Sequence, residues 1–205
     1  AFFLSIEFQE TGYLVYRFYR SAFGNVTGTP VPVRLNDFLR DTQQIGQGVR
    51  VGIGNWEEQL EANKQAYALQ FVQRQDFMLA YPNTLTPTEL VTRLNTNTGG
   101  ALSPAEQVTL AGLLGQTPED FGKRAALLRA VAEDQTLRAA EVNRAFVLMQ
   151  YFGYMRRDPD AAPDGDFVGF NFWLSKLDSF NGNFVNAEMV RAFLSSTEYR
   201  QRFGP

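Results

Sequence analysis

Apolar residues recur at helical spacing through much of the chain, most clearly in its C-terminal third. From Leu137 to Arg156 the sequence is apolar on several sides, which predicts one largely buried helix. Two further helical stripes follow, one on Phe170, Trp173, Leu174 and Leu177 and one, after the turn Asn181-Gly182-Asn183, on Val185, Met189 and Phe193. Ser196 has the character of an N-cap, so a last short helix is expected to end near Gly204.

Three tetrapeptides in the middle of the chain have the composition of a helix start: Thr86-Pro87-Thr88-Glu89, Ser103-Pro104-Ala105-Glu106 and, less completely, Thr117-Pro118-Glu119-Asp120. In each, a hydroxyl can accept a hydrogen bond from a first-turn amide, proline needs no amide partner, and a carboxylate favours the positive end of the helix dipole. Gly115 is placed to end the second of these helices. The spacing predicts several short helices.

One seven-residue sequence motif occurs near both ends of the chain. Residues 2–8 align position by position with residues 193–199, sharing an aromatic residue, a serine, a glutamate and a closing aromatic residue. Weaker copies occur at residues 71–77 and 131–137. Two further echoes accompany them: residues 56–60 with residues 173–177, and residues 13–24 with residues 146–157. Self-similarity of this kind indicates repeated structural units.

These landmarks divide the chain into units of about four short helices each. Residues 1–12 are the tail of a preceding unit, 13–82 a first full unit, 85–137 a degenerate unit and 138–205 a second full unit. The first full unit carries an insertion at 25–55, in which Arg34–Gln44 predicts a helical turn or two, and Val49, Val51 and Ile53 predict a short strand or extended edge. The expected fold class is mainly α: tandem clusters of short helices with one irregular Gly/Val-rich insertion.

Composition narrows the functional classes. The 205-residue chain contains neither Cys nor His, which removes thiol nucleophiles, disulfides, imidazole bases and the common transition-metal ligands. The net charge of −3 offers no basic surface for nucleic acid. No apolar run approaches the roughly 18 residues needed for a membrane span. The sequence shows no signal peptide, so export would require one upstream of it. These features predict a protein that is not an enzyme.

The C-terminal motifs resemble the bacterial domain-of-unknown-function family 4214 (DUF4214). The family pattern is an aromatic-rich helix, an Arg-x-Pro-Asp loop, an aromatic-Trp-Leu helix and a closing Phe-Leu-x-Ser-x-Glu-Tyr/Phe. Its positions are occupied here by Arg157, Pro159, Asp160, Trp173, Leu177, Phe193, Ser196, Glu198 and Tyr199. The resemblance is good over residues 145–203, extends to 1–12, is partial at 56–77 and faint at 85–137.

One departure from the family lies in the loop, where extra Pro and Asp residues precede the Gly that usually follows the Asp closely. The resemblance, closest to chains of the acidobacterial type, implies a helical module appended to large secreted or surface-attached bacterial proteins. It implies no activity, because none is established for the family.

An acidic loop follows the long helix and provides the candidate metal site. Its carboxylates belong to Asp158, Asp160, Asp164 and Asp166. Such oxygen ligands suit calcium, although their spacing is not that of an EF-hand. The alternative is that Asp166 caps the Trp173 helix and the other aspartates are solvated turn residues, whose charge Arg156 and Arg157 can neutralise without a metal. Elsewhere, Asn25-Val26-Thr27 matches the acceptor pattern for N-glycosylation.

The aromatic N-terminal segment is the candidate self-association surface. Its members are Phe2, Phe3, Ile6 and Phe8. If residues 1–12 end a unit whose beginning is elsewhere, these side chains lack packing partners, and soluble monomers rarely expose such patches. An upstream part of a longer chain, or another copy in a head-to-tail contact, would cover them. By contrast, Trp56 and Trp173 are expected to be substantially buried anchors.

The favoured function is therefore a non-enzymatic structural or adhesive module of an exported bacterial surface or extracellular protein. Its partners would be neighbouring domains of the same longer chain or other copies of itself, with assembly into a filament as one outcome. The alternative is a carbohydrate- or calcium-binding module that uses the insertion and the acidic loop. A carboxylate-dependent hydrolase is least favoured, because no base or nucleophile constellation is visible.

Overall fold

The computed structural model describes residues 6–204, with side chains described from Phe8 onward, and every regular element in this range is a helix. The first half contains α1 (Ile6–Glu10), α2 (Gly12–Phe23), α3 (Leu35–Gly46), α4 (Trp56–Val72), α5 (Gln75–Ala80) and α6 (Pro87–Asn97). The second half contains α7 (Pro104–Leu114), α8 (Phe121–Ala132), α9 (Gln135–Gln150), a π-helical turn (Tyr151–Met155), α10 (Val168–Ser179), α11 (Met189–Ser195) and α12 (Thr197–Phe203). The prediction of a mainly α fold is confirmed.

Two of the three predicted helix starts are capping boxes. The Thr86 hydroxyl accepts the Glu89 amide at 3.3 Å, and the Glu89 carboxylate accepts the Thr86 amide at 2.8 Å. Ser103 and Glu106 repeat this reciprocal pair at the start of α7. The third start is displaced by three residues, because Asp120 is the N-cap of α8 and accepts the Lys123 amide at 2.9 Å. Local cap chemistry therefore positions the middle helices.

Three breaks between consecutive helices have the same backbone geometry; they span residues 71–77, 131–137 and 193–199. In each, the fourth residue donates its amide to the carbonyl of the first, at 3.1, 3.2 and 3.3 Å. That fourth residue is extended, with φ, ψ of −65°, 146° at Arg74, −55°, 135° at Asp134 and −63°, 149° at Ser196. The chain therefore leaves one helix and begins the next in the same way at all three places.

The insertion at 25–55 contains a longer helix than expected, and its last residues form turns where an extended segment was expected. α3 has 12 residues and buries Phe38, Asp41 and Ile45. The strand predicted around Val51 and Ile53 is wrong: these residues lie in turns and are 36% and 66% exposed. Between residues 48 and 54, three glycines have positive φ, at positions 48, 52 and 54, which interrupts an extended backbone.

α2 lies at the centre of the molecule and positions the other elements. It packs against α3, α6, α8 and α9, and nearly all of its residues are buried. A single cluster of buried apolar side chains runs from Phe8 to Phe193. The units delimited in the sequence therefore share one hydrophobic core.

Phe8 belongs to the core of its own chain, so the expectation that it lacks packing partners is wrong. It is 6% exposed, because α1 packs against α2. A Cβ atom at Gly12 would approach the Phe8 ring to 2.9 Å, so this contact requires glycine. The other members of the candidate self-association surface, Phe2, Phe3 and the side chain of Ile6, lie outside the described residues.

The two tryptophans are less buried than expected. Trp56 and Trp173 are both only partly buried, and each packs against the edge of the core. Trp173 lies beside Phe193, with ring centroids 5.5 Å apart, and Lys176 Nζ lies 5.2 Å from the Trp173 ring centroid. Trp173 is therefore accessible from solvent on part of its surface.

Candidate functional site

The acidic loop connects the π-helical turn to α10, and its first two aspartates bond to residues at the start of α3. Asp158 Oδ1 accepts a hydrogen bond from the Leu35 amide at 2.9 Å, at the first residue of α3. Asp160 Oδ1 pairs with Arg34 Nη1 at 2.5 Å. The loop therefore supplies a cap and a counter-ion to the start of α3. These two contacts join segments that lie 123 and 126 residues apart in the sequence.

The other two aspartates bond within the C-terminal part of the chain. Asp164 Oδ2 accepts from Arg157 Nη2 at 2.8 Å. Asp166 Oδ1 accepts from the Val168 amide at 2.9 Å, at the first residue of α10. The four carboxylates therefore bond to four different partners. Between residues 6 and 204, no group of three or more acidic, His or Cys side chains is placed to hold a metal ion.

These contacts agree with part of the alternative, since Asp166 bonds at the start of α10 and Arg157 pairs with Asp164. Asp160, however, pairs with Arg34 and not with Arg156 or Arg157, and Asp158 accepts the Leu35 amide. Calcium binding by the loop remains a prediction that solution measurements must test. We expect a calcium chelator to leave the melting temperature of the purified protein unchanged, because the loop carboxylates already have protein partners. The measurement is thermal unfolding followed by circular dichroism, with and without chelator and then with added calcium. A fall of several degrees on chelation would show a bound ion, since a ligand specific to the native state adds stability by mass action.

Arg157 holds the C-terminal site together. Its side chain is almost fully buried, with the residue 8% exposed. Nε and Nη2 donate to the two oxygens of Glu198 at 2.7 and 3.0 Å, and Nη2 also donates to Asp164. Nη1 donates to the carbonyls of three loop residues at 3.1 Å each: Asp158, Pro159 and Ala161. Burial alone would lower the pKa of Arg157, but the hydrogen bonds and charges of Glu198 and Asp164 raise it above the ordinary arginine value.

The backbone before Arg157 places its guanidinium. α9 continues into the π-helical turn, and Arg156 then takes a left-handed conformation with φ of 53°. This reversal brings the Arg157 guanidinium over the Tyr151 ring, 5.3 Å from its centroid. On the other side, Ser196 caps α12 and sets Glu198 in its first turn, facing Arg157.

A cavity of about 230 Å³ lies beside this arginine. Its lining includes Tyr151, Asp164, Trp173, Ala192, Phe193 and Glu198. Tyr151 and Phe193 meet edge to face, with centroids 5.3 Å apart. Burial, followed by the charge of Asp164, raises the pKa of Tyr151 to about 12. The cavity therefore combines aromatic rings with carboxylate oxygens.

A second polar cluster, which no sequence signal marks, surrounds Asp41 of α3. Asp41 is fully buried and receives two hydrogen bonds from Arg74, at 2.7 and 2.9 Å. The hydroxyls of Tyr19 and Tyr67 donate to it at 2.9 and 3.1 Å, and Arg40 donates at 3.0 Å. Burial would raise the pKa of Asp41, but the hydrogen bonds and charge of Arg74, with the other donors, lower it overall. The cluster fixes α3 onto α2, α4 and the start of α5.

Other buried charges also join separate segments. Glu141 of α9 accepts from the Tyr16 hydroxyl at 2.6 Å and from Arg20 Nε at 2.9 Å, which ties α9 to α2. Arg124 of α8 donates to the Tyr81 carbonyl at 2.6 Å, beyond the end of α5. Glu141 and Arg124 are nearly inaccessible to solvent. Their hydrogen bonds join separate segments of the chain.

The tyrosines provide a measurable signature of this packing. Seven have a raised pKa, in each case chiefly through burial: Tyr13, Tyr16, Tyr19, Tyr67, Tyr81, Tyr151 and Tyr154. A raised pKa in the folded state contributes stability that is present below the unfolded value, about 10, and is lost as pH rises above it. We expect tyrosinate absorbance to appear together with loss of helical circular dichroism. Ionisation of most tyrosines near pH 10 in a chain that stays helical would contradict this packing.

Comparison of the chain with family models, with curated proteins and with solved structures found no match in any of the three. The resemblance to the DUF4214 family therefore rests on the sequence motifs alone. Within residues 6–204, no helix combines the length and the apolar character required for a membrane span.

Proposed function

We propose that the protein is a non-enzymatic structural or adhesive module of an exported bacterial surface or extracellular protein. The observation that carries this proposal is that buried charged side chains connect elements that are distant in sequence. They belong to Asp41, Glu141, Arg124 and Arg157. Catalytic groups commonly remain available to substrate, whereas these side chains are enclosed by their partners. The absence of Cys and His from the chain supports the same conclusion.

Tandem repetition supports the structural part of the proposal. The three helix breaks share their geometry, and aligned aromatic pairs recur as well. Phe18 and Phe71 meet edge to face at 5.6 Å, and the aligned Tyr151 and Phe193 do so at 5.3 Å. In repeat proteins, neighbouring units bury each other's faces and build extended scaffolds. Here the loop of the last unit also bonds to the insertion of the first.

The exported location follows from the family resemblance and is open to direct test. Antibodies against this module should label intact cells of the source bacterium or detect the protein in the culture medium. Protease added to intact cells should remove the cell-bound signal, whereas a cytoplasmic protein used as control should survive. Detection only after cell lysis would overturn the exported assignment.

Head-to-tail assembly through the N-terminal segment is part of the same proposal. Phe8 is no longer a member of the self-association surface, because it is buried in the core of its own chain. We expect concentration-dependent association of the chain that is lost when Phe2 and Phe3 are both replaced by serine. Sedimentation velocity and negative-stain imaging of both chains provide the measurement. Phe8→Ser is not a suitable probe, because it removes a core side chain. Monomers for both chains over the whole concentration range would contradict assembly.

A further inference from the structure

The cavity beside Arg157 presents hydrogen-bond acceptors. The five N–H groups of Arg157 are directed to Glu198, Asp164 and three loop carbonyls. The Ser196 hydroxyl donates to the Phe193 carbonyl at 2.8 Å. Asp164 and Glu198 line the cavity with side chains 36% and 22% exposed. Each carboxylate oxygen accepts more than one hydrogen bond, so a ligand in the cavity would bond chiefly as a donor.

The opposite lining is aromatic and favours a ligand with an apolar face. Tyr151 and Phe193 are buried side chains of this lining. Trp173 lies beside Phe193 with their ring planes 53° apart, and part of its surface is accessible. Binding sites of this kind combine apolar and aromatic walls with a few polar groups that fix orientation. A sugar ring meets both requirements, since its C–H face is apolar and its hydroxyls are donors.

The charges around the cavity are balanced, which favours a neutral ligand over a cation. Asp164 and Glu198 both pair with Arg157, and Arg202 Nη2 lies 3.8 Å from Glu198. Two carboxylates therefore face two guanidinium groups. An ammonium ligand would gain little from a site without net negative charge.

The part of a ligand that this cavity can enclose is small. Its volume of about 230 Å³ lies below the roughly 300–1,000 Å³ of pockets for drug-sized molecules. A single sugar ring, such as the end of a longer glycan, is the unit that this volume suits.

The ring pair that corresponds to Tyr151 and Phe193 in the first full unit has different surroundings. The pair Phe18 and Phe71 has the same edge-on arrangement as the ring pair of the cavity. There, however, the Tyr67 ring lies 5.0 Å from Phe18, and Asp41 of α3 bonds to Arg74 beside Phe71. The chain's own side chains pack over the first ring pair, whereas the second borders a cavity.

We infer that this cavity binds one ring of a neutral carbohydrate, with the ring against Trp173 and its hydroxyls donating to Asp164 and Glu198. The inference rests on the proposed adhesive function and identifies the surface through which the module would adhere. It assigns no reaction, because binding alone is required.

The test uses the indole N–H signals of the two tryptophans in a ¹H–¹⁵N correlation spectrum. The full chain is titrated with glucose, galactose, mannose and N-acetylglucosamine, and separately with choline as a small cation. At least one sugar is expected to shift the Trp173 indole signal in a saturable manner. Trp56 serves as an internal control, because it does not line the cavity, and Trp56→Phe assigns the two signals.

Two variants give the test its specificity. Ala192→Leu fills part of the cavity and is expected to weaken sugar binding at least tenfold. Val168→Ala shortens an exposed side chain of α10 that does not line the cavity, and it is expected to leave binding unchanged. The spectrum of each variant also reports whether the fold is kept.

Three results would overturn the inference: a shift with choline alone, full sugar binding by a folded Ala192→Leu variant, or no shift with any of the four sugars. None of these would decide whether the protein is exported, because labelling of intact cells tests that separately. Conversely, a cytoplasmic location would leave sugar binding by the cavity intact as a measured property.

Discussion

Asp41→Ala is expected to lower the free energy of unfolding by about 3–5 kcal/mol, the usual loss when one partner of a buried ion pair is removed. The substitution leaves Arg74 without its carboxylate and removes the acceptor of the Tyr19 and Tyr67 hydroxyls. The measurement is urea unfolding followed by circular dichroism. Asp37→Ala is the matched control on the same helix, because Asp37 pairs with Arg40 on the surface, where their side chains are 44% and 59% exposed, and such pairs contribute about 0–1 kcal/mol.

The stability that Asp41 contributes is expected to depend on pH. The lowered pKa of folded Asp41 contributes stability that is present above the unfolded pKa, about 3.9, and is lost as pH falls through the folded value. Asp41→Asn should therefore be less stable than the wild type at neutral pH, and the difference should shrink at acid pH. Equal losses for Asp41→Ala and Asp37→Ala at neutral pH would show that the cluster does not stabilise the fold.

Arg157→Met is expected to cost about 2–3 kcal/mol, somewhat less than a fully buried pair because Asp164 and Glu198 are partly exposed. The methionine retains much of the apolar stem but removes every donor to the loop carbonyls. Urea unfolding again provides the free energy. Loss of the guanidinium should also loosen the loop, so the amides around residues 158–166 should exchange faster with solvent.

Arg156→Ala is the matched control for Arg157→Met. The two arginines are adjacent, but Arg156 is exposed, and surface substitutions usually change stability by less than about 0.5 kcal/mol. Arg157→Lys should be nearly as damaging as Arg157→Met, because an ammonium group cannot replace the planar fork that holds both oxygens of Glu198. Equal stability of the Arg156 and Arg157 variants would contradict the role assigned to Arg157.

The local features of the fold could be predicted from the sequence because their causes are local. Thr86 and Ser103 each lie three residues before the glutamate that completes the cap, and Ser196 is the N-cap of α12 as expected. Apolar spacing likewise marked the long helix that ends at the π-helical turn. Where a local pattern was misleading, a neighbouring residue decided the outcome: α11 begins only at Met189, since Glu188 is left-handed and Val185 lies exposed before it.

The candidate site was only partly predictable because its partners are distant in sequence. The acidic loop was recognised, and so was the capacity of Arg157 to neutralise it. The contacts of Asp158 and Asp160 with the start of α3 could not be inferred, because they depend on how the insertion packs against the C-terminal unit. Asp41 was not recognised either, since a single aspartate on an amphipathic helix is usually solvent-exposed.

The acidic loop is a structural clasp: its Asp158 and Asp160 join the C-terminal part of the chain to the start of α3. Hydrogen exchange of the Leu35 amide, compared between the wild type and Asp158→Ala, tests it most directly. We expect protection of this amide in the wild type and exchange at least tenfold faster in the variant, while the Leu137 amide, capped by its own neighbour Asp134, is unchanged. Equal exchange of the Leu35 amide in both chains would contradict the clasp.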